Sequence, residues 1–152
     1  MQAGKSDKTL IVIKPDAVRK NVIGSILKRF EDEGFRIREL RMLRLSKEDA
    51  EEFYSVHRDK PFFNELVQFI TSGSVVAAIL EDESSCCCGG GDGDMDAIAK
   101  VRKIIGATNP SKAEEGTIRR LYGSSITENA IHASDSIESF EREAKVIFND
   151  RK

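Results

Sequence analysis

Apolar residues recur along this chain at two spacings, and each predicts an element. Residues 9–14, "TLIVIK", form a short apolar run cut off by Pro15 and predict a buried strand. Over 21–33, Ile23, Ile26, Leu27 and Phe30 recur at i, i+3, i+4 and i+7, one face of a helix that Gly34 is placed to end. In 37–45, "IRELRMLRL", the residues Ile37, Leu43 and Leu45 fit one face of a half-exposed strand. Ser46 with Asp49 has the form of a capping box and opens a helix through about His57. A further helix is predicted from Pro61, whose fixed φ suits a first helical position, through Phe62, Leu66, Phe69 and Ile70 to a stop at Gly73.

"SVVAAIL", residues 74–80, predicts the third strand, and 95–105 a helix with Ile98, Val101 and Ile105 on one face and Gly106 as its cap. Residues 107–127 read as loop-rich. A short fourth strand is expected at 129–133, and a last helix from about 136 to 148 turns Ile137, Phe140 and Ala144 inward. The simplest plan for this order is α+β: a ferredoxin-like βαββαβ sandwich, an antiparallel four-stranded sheet with helices on its faces. The length of 152 residues fits a single domain, 1–152. It is interrupted at about 82–94 by "DESSCCCGGGDGD", a low-complexity stretch expected as a surface excursion.

Composition narrows the classes. The chain has 24 basic and 26 acidic residues and a net charge of −2, which argues against nucleic acid as the main partner. No apolar run approaches the ~20 residues of a membrane helix. The three cysteines, Cys86 to Cys88, are consecutive rather than spaced as a disulfide framework, so the expected compartment is a reducing cytoplasm. Adjacent cysteines also cannot easily surround one tetrahedral zinc. Asp92, Asp94 and Asp96 mimic the start of a calcium loop, but Ala97 and Lys103 stand where that loop needs Gly and Glu.

Candidate chemistry centres on anions. Lys14 ends the first strand, Arg102 lies in a helix, Arg119 follows Gly-Thr in a loop, and Thr108-Asn109-Pro110 is a compact polar turn. No Walker A sequence and no protein-kinase signature set occurs. His132, in "NAIHASDSIES", reads either as a packed core histidine or as a nucleophile, since a neutral imidazole can take a phosphoryl group and split one transfer into two. Ser134 and Asp135 stand beside it, and Glu143 lies along the following helix. His57 shares a helical face with Ala50, Phe53 and Tyr54 and reads as structural or surface. Tyr54 can pack its ring while its hydroxyl reaches a polar site, and Phe62 is either core or a platform on which a base stacks.

Together, "TLIVIKPDAVRKNVIG", "FYSVHRDKPFF", "GATNP", "GTIRRLYG" and "NAIHASDSIESFERE" resemble the nucleoside diphosphate kinase family in order, from about Thr9 to Phe148. The Asn-x-x-His-x-Ser-Asp signature stands at Asn129, His132, Ser134 and Asp135. The resemblance implies transfer of the γ-phosphate of a nucleoside triphosphate to a nucleoside diphosphate by a ping-pong route, with His132 as the phosphorylated (pros) nucleophile. It implies phosphate and ribose contacts from Lys14, Tyr54, Arg102, Thr108, Arg119 and Asn129, base stacking on Phe62, and support of the imidazole by Ser134 and Glu143. Mg²⁺ is implied as cofactor, carried by the nucleotide phosphates and reached by this chain at most through a water on Asp135. A homo-oligomer, hexamer or tetramer, is implied as well. The alternative is a catalytically silent nucleotide-binding or interaction module on the same fold. Such a copy is expected to lose His132, Lys14 or Arg119, and none is lost. Three departures from the family pattern stand out: Ala133 where Gly is usual, Lys60 where Arg is commoner, and the insertion at 82–94.

Overall fold

The computed structural model describes residues 7–83 and 96–148. Four strands, β1 (Lys8–Ile13), β2 (Phe35–Leu43), β3 (Val75–Asp82) and β4 (Ile131–Ala133), form one sheet in the order β2-β3-β1-β4, every neighbouring pair antiparallel. The helices are α1 (Pro15–Arg19), α2 (Ile23–Asp32), α3 (Lys47–Phe53), α4 (Phe63–Ile70), α5 (Ala97–Ile105), α6 (Ile118–Tyr122) and α7 (Ile137–Ile147). This is the antiparallel α+β sandwich that the element order predicts.

Strand alternation divides the interior into two layers. Side chains two residues apart share a face, so Ile11 and Ile13 of β1 join Val76, Ala78 and Leu80 of β3 on one side. There they meet Ile26 and Phe30 of α2, Val101 and Ile105 of α5, and Ile118 of α6. Leu10, Val12, Val75, Ala77 and Ile79 face the other way, onto Phe53, Phe63, Val67, Ile70 and Ile147. In β4, Ile131 and Ala133 belong to the first layer. The intervening His132 must therefore point to the second, toward α3 and α7.

The sequence reading differs from the structure chiefly in five places; beyond these, β4 spans Ile131–Ala133 rather than 129–133, and α3 ends at Phe53 before a 3-10 turn at Ser55–His57. The residues after Pro15 make a helical turn, α1, which the hydrophobic spacing does not predict; Pro at the first position supplies the φ it needs. Asn21, at φ +61°, separates α1 from α2, which therefore starts at Ile23 and not at 21. Ile37, Leu43 and Leu45 do not share a face: a register shift between Ile37 and Glu39 reverses the alternation. Ile37 packs with the first layer, while Leu43 and Leu45 pack with the second. Pro61 sits in a turn before α4, which begins at Phe63. Finally, 107–127 holds α6, capped by Thr117, whose hydroxyl accepts from the Arg120 N–H at 3.3 Å.

Of the insertion, only Asp82 and Glu83 lie within the described residues; Cys86 to Cys88 and the calcium-loop mimic at Asp92 and Asp94 lie outside them. Across that gap, buried Asp82 at the end of β3 pairs with Lys100 of α5 at 2.6 Å. Ala133 is not among the residues at positive φ, so its Cβ brings no backbone strain. Lys60 is exposed, as a surface replacement should be.

Candidate functional site

Two strand ends build the centre of the site. Lys14 follows β1, and its N–H donates to the Ala130 carbonyl at 2.9 Å, which ties it to the approach to β4. Its ammonium donates to Asn129 Oδ1 at 2.8 Å and to the Thr127 carbonyl at 3.4 Å. Asn129 Nδ2 in turn donates to the Thr108 carbonyl at 2.9 Å, so Lys14, Asn129 and Thr108 form one chain of contacts. Lys14 is 4% exposed. Burial, then the Arg119 guanidinium, bring it down to about 8, against a smaller upward pull from Asp16.

Arg119 reaches in from α6. Its Nη2 and Nε donate to the Ile131 carbonyl at 2.9 and 3.3 Å, and its Nη1 donates to the Gly106 carbonyl at 3.0 Å. Those bonds fix a buried cation against β4 one residue before His132. Burial, then Arg102, lower Arg119 to about 10, with Tyr54 opposing. Arg102 is exposed on α5 and also acts on Asp135 across the site. Three cations thus crowd one region, and mutual repulsion contributes to the shifts. An arrangement of that kind is relieved by a bound polyanion.

His132 lies in a different set of contacts. Its Nε2 is 2.9 Å from Glu143 Oε1, the same oxygen that accepts from Ser134 Oγ at 2.7 Å. Because an ionised carboxylate only accepts, this pairing puts the ring proton on Nε2 and leaves the Nδ1 lone pair free. The Arg142 guanidinium lies 3.6 Å from the other carboxylate oxygen. Phe53 packs its ring 4.8 Å from the imidazole centroid, and Tyr54 stands edge-on at 6.2 Å. Burial, then the Glu143 charge, push the Tyr54 phenol up, so it stays a neutral hydroxyl.

Asp135 and Ser136 open α7. Ser136 Oγ accepts from the Ser139 N–H at 3.0 Å as N-cap, and Asp135 Oδ1 accepts from Ser139 Oγ at 2.7 Å. The latter bond holds the Asp135 carboxyl below its ordinary range. Phe62 is 44% exposed and stands apart, joined to the rest among the described residues through rings: 5.6 Å to His57, 6.3 Å from His57 to Tyr54. His57 is accordingly a packing residue between two aromatics, in keeping with its structural reading.

Three neighbours of the site were not legible in the sequence. Phe53 supports the imidazole, Arg142 flanks Glu143, and Asp16 accepts from the Ala130 N–H at 3.0 Å. Asp16 follows Pro15 and reads locally as an acidic residue of a helical first turn. No spacing pattern reports a bond across 114 positions. Among the described residues no group of three or more His, Cys, Asp or Glu is placed to hold a metal ion, and no helix is long and apolar enough to cross a membrane.

The nucleoside diphosphate kinase family profile matches residues 7–152. A nucleoside diphosphate kinase of Staphylothermus marinus is 52% identical over 145 residues, covering 95% of this chain and 94% of that protein. One from Clostridium perfringens is 51% identical over 142 residues, covering 93% and 91%. Among solved structures, the Aquifex aeolicus nucleoside diphosphate kinase superposes with a TM-score of 0.83 at 48% identity, covering 93% of this chain and 94% of that one. The Encephalitozoon cuniculi enzyme gives the same TM-score at 36% identity, covering 95% and 90%. Matched over nearly its whole length in sequence and in fold, the chain belongs to the nucleoside diphosphate kinase family and is a kinase of that kind.

Proposed function

We propose that His132 carries the phosphoryl group between nucleotides in this enzyme. The observation that carries the reading is the bond from Nε2 to Glu143, which leaves Nδ1 as the nucleophilic nitrogen. In the first half-reaction Nδ1 attacks the γ-phosphorus of a nucleoside triphosphate. The P–N bond forms, the bond to the bridging oxygen breaks, and a nucleoside diphosphate leaves with that electron pair. A second nucleoside diphosphate reverses the step through its terminal phosphate oxygen.

The loose transition state spreads negative charge over the equatorial phosphoryl oxygens, so positioned cations do most of the work. Lys14, Arg119 and Arg102 supply them. Asn129 and Thr108 hold the Lys14 end in register, and neutral Tyr54 borders the imidazole. Phe62, exposed at the rim, offers a π face that any base can stack on. Glu143 takes up the positive charge that develops on the ring, with Ser134 sharing its oxygen. Incubation with γ-labelled ATP should leave an acid-labile label on the protein, and added GDP should remove it; absence of any label would reject this reading.

Mg²⁺ fits this site only as a nucleotide-borne ion, with Asp135 as the carboxylate that could hold one of its waters. When bound it neutralises phosphate charge. Assembly into a homo-oligomer is supported by β2, the last strand in the sheet order among the described residues, which exposes the apolar side chains of Leu40 and Met42 by 54% and 58%. Light scattering giving the mass of a single 16.9 kDa chain would rule that assembly out.

Glu143→Gln is expected to lower kcat roughly 10- to 100-fold, the scale on which losing the outer partner of a metal-bound histidine costs activity. The amide oxygen still accepts from Ser134, so thermal stability should move little. Single-turnover phosphorylation of His132 is the measurement, and an unchanged rate would contradict the role given to Glu143.

A further inference from the structure

Two residues before His132 the backbone makes a turn that L-residues rarely adopt. Ala130 has φ +79°, and the Ile131 N–H donates back to the Asn129 carbonyl at 2.9 Å. An i to i+2 bond around a residue of positive φ is the rare, strained form of γ-turn. Such a conformation persists only where its surroundings over-determine it. Here both polar groups of Ala130 are gripped by one short stretch. Its N–H donates to Asp16 Oδ2 at 3.0 Å, and its carbonyl accepts from the Lys14 N–H at 2.9 Å.

Asp16 itself is 3% exposed, and its other oxygen, Oδ1, has no hydrogen-bond partner among the described residues. A half-paired buried carboxyl is unfavourable, and a side chain that merely filled space would be better apolar. Burial raises its proton affinity, while Lys14, the Ala130 N–H and Lys20 act the other way. The groups facing Lys14 are Arg119 from α6, Asn129 and the Thr127 carbonyl from the approach to β4, and Asp16 from α1. Arg102 and Tyr54 bear on Arg119 in turn. Asp16 is the carboxylate among these that opposes the lowering of Lys14.

We propose that Asp16 is a positioning residue for phosphoryl transfer: its carboxylate holds the strained turn that sets where Asn129 and His132 sit, beside the buried Lys14 whose own N–H grips the other side of that turn. The inference rests on the roles given above to His132 and Lys14. Geometry and charge separate by substitution. Asp16→Asn keeps an oxygen to accept from Ala130 and loses the charge, whereas Asp16→Ala loses both.

The test measures kcat/KM against pH and, independently of activity, the ¹³Cε titration of Lys14 in lysine-labelled protein, assigned by its disappearance in Lys14→Met. In Asp16→Asn both the alkaline fall in kcat/KM and the Lys14 titration should move down by roughly one pH unit, as expected on losing a neighbouring opposite charge. Asp16→Ala should show the same displacement and a further loss on the order of 10- to 100-fold at pH 6.5, where Lys14 is charged in every variant. Lower melting temperatures with the Lys14 titration unmoved, and Asp16→Ala no slower than Asp16→Asn, would make Asp16 merely structural and overturn the proposal. A moved titration without a moved kcat/KM profile would leave the hold of Asp16 on Lys14 standing and overturn instead the assignment of Lys14 to phosphate. Should Asp16→Ala fail to fold, the Asp16→Asn arm decides the charge coupling by itself.

Discussion

His132→Ala should abolish the phosphoenzyme and reduce nucleoside diphosphate kinase activity by at least about 10,000-fold, the scale of loss when a nucleophile is deleted from a site that acts as a unit. The fold should survive. The imidazole lies at the rim with a fifth of its surface exposed, and Glu143 still accepts from Ser134 when the ring is gone. What remains, the cations and Phe62, should still bind nucleotide. The variant should therefore keep its nucleotide affinity while failing to take up label from γ-labelled ATP. Label surviving in His132→Ala, with a melting temperature close to the parent's, would mean that another group carries the phosphoryl. The measurement is a pair: incorporation of label, and steady-state transfer to GDP.

Lys14→Met should cost on the order of 100- to 1,000-fold in kcat/KM, the usual effect of removing one preorganised charge from a transition state of this kind. Methionine nearly matches the length of the aliphatic stem, so the comparison isolates the ammonium. The pH dependence supplies a second reading with a definite sign. Burial and Arg119 bring Lys14 down to about 8 in the free enzyme. The cation is the working form, so kcat/KM should fall as pH rises through that value. In Lys14→Met the maximum is lower and the fall near pH 8 disappears, since no group there remains to lose its proton. A profile that still bends at pH 8 in Lys14→Met would assign that ionisation elsewhere. The variant also leaves Asn129 Oδ1 without its donor, so some of the loss will appear as a displaced Asn129.

How much of this was legible beforehand depends on the range over which each interaction acts. The helical faces at Ile26 and Phe30, at Ile98, Val101 and Ile105, and the strand at 74–80 are readable because burial imposes a period of 3.6 or 2 on neighbouring residues. The cap at Ser46 is readable for the same reason: the Asp49 N–H it accepts from lies three residues away. The face of β2 was misjudged because one extra residue near Arg38 reverses the alternation, and nothing in "IRELRMLRL" marks the bulge. Helix α6 was missed because five residues are too few for a hydrophobic period to show.

The site divides along the same line. Short segments in family order named His132, Lys14, Arg119, Asn129, Ser134 and Glu143 as candidates, and local pattern placed His132 near the start of the last helix. The pros nitrogen, Nδ1, was already implied by the resemblance, whereas the lowered Lys14 and the service of Arg119 to two backbone carbonyls came from residues distant in sequence. Asp16 and Ala130 are the sharpest case: their bond spans 114 positions and depends on β1 and β4 being neighbours in the sheet. By itself, then, the sequence determined most of the elements, the burial of the strands at 9–14 and 74–80, and the set of chemically competent side chains, since local spacing and short family segments carry these. Only the tertiary structure decided which of those side chains share a proton, a charge or a strained turn, because electrostatics and hydrogen bonds act through space over a few ångströms, whatever the distance along the chain.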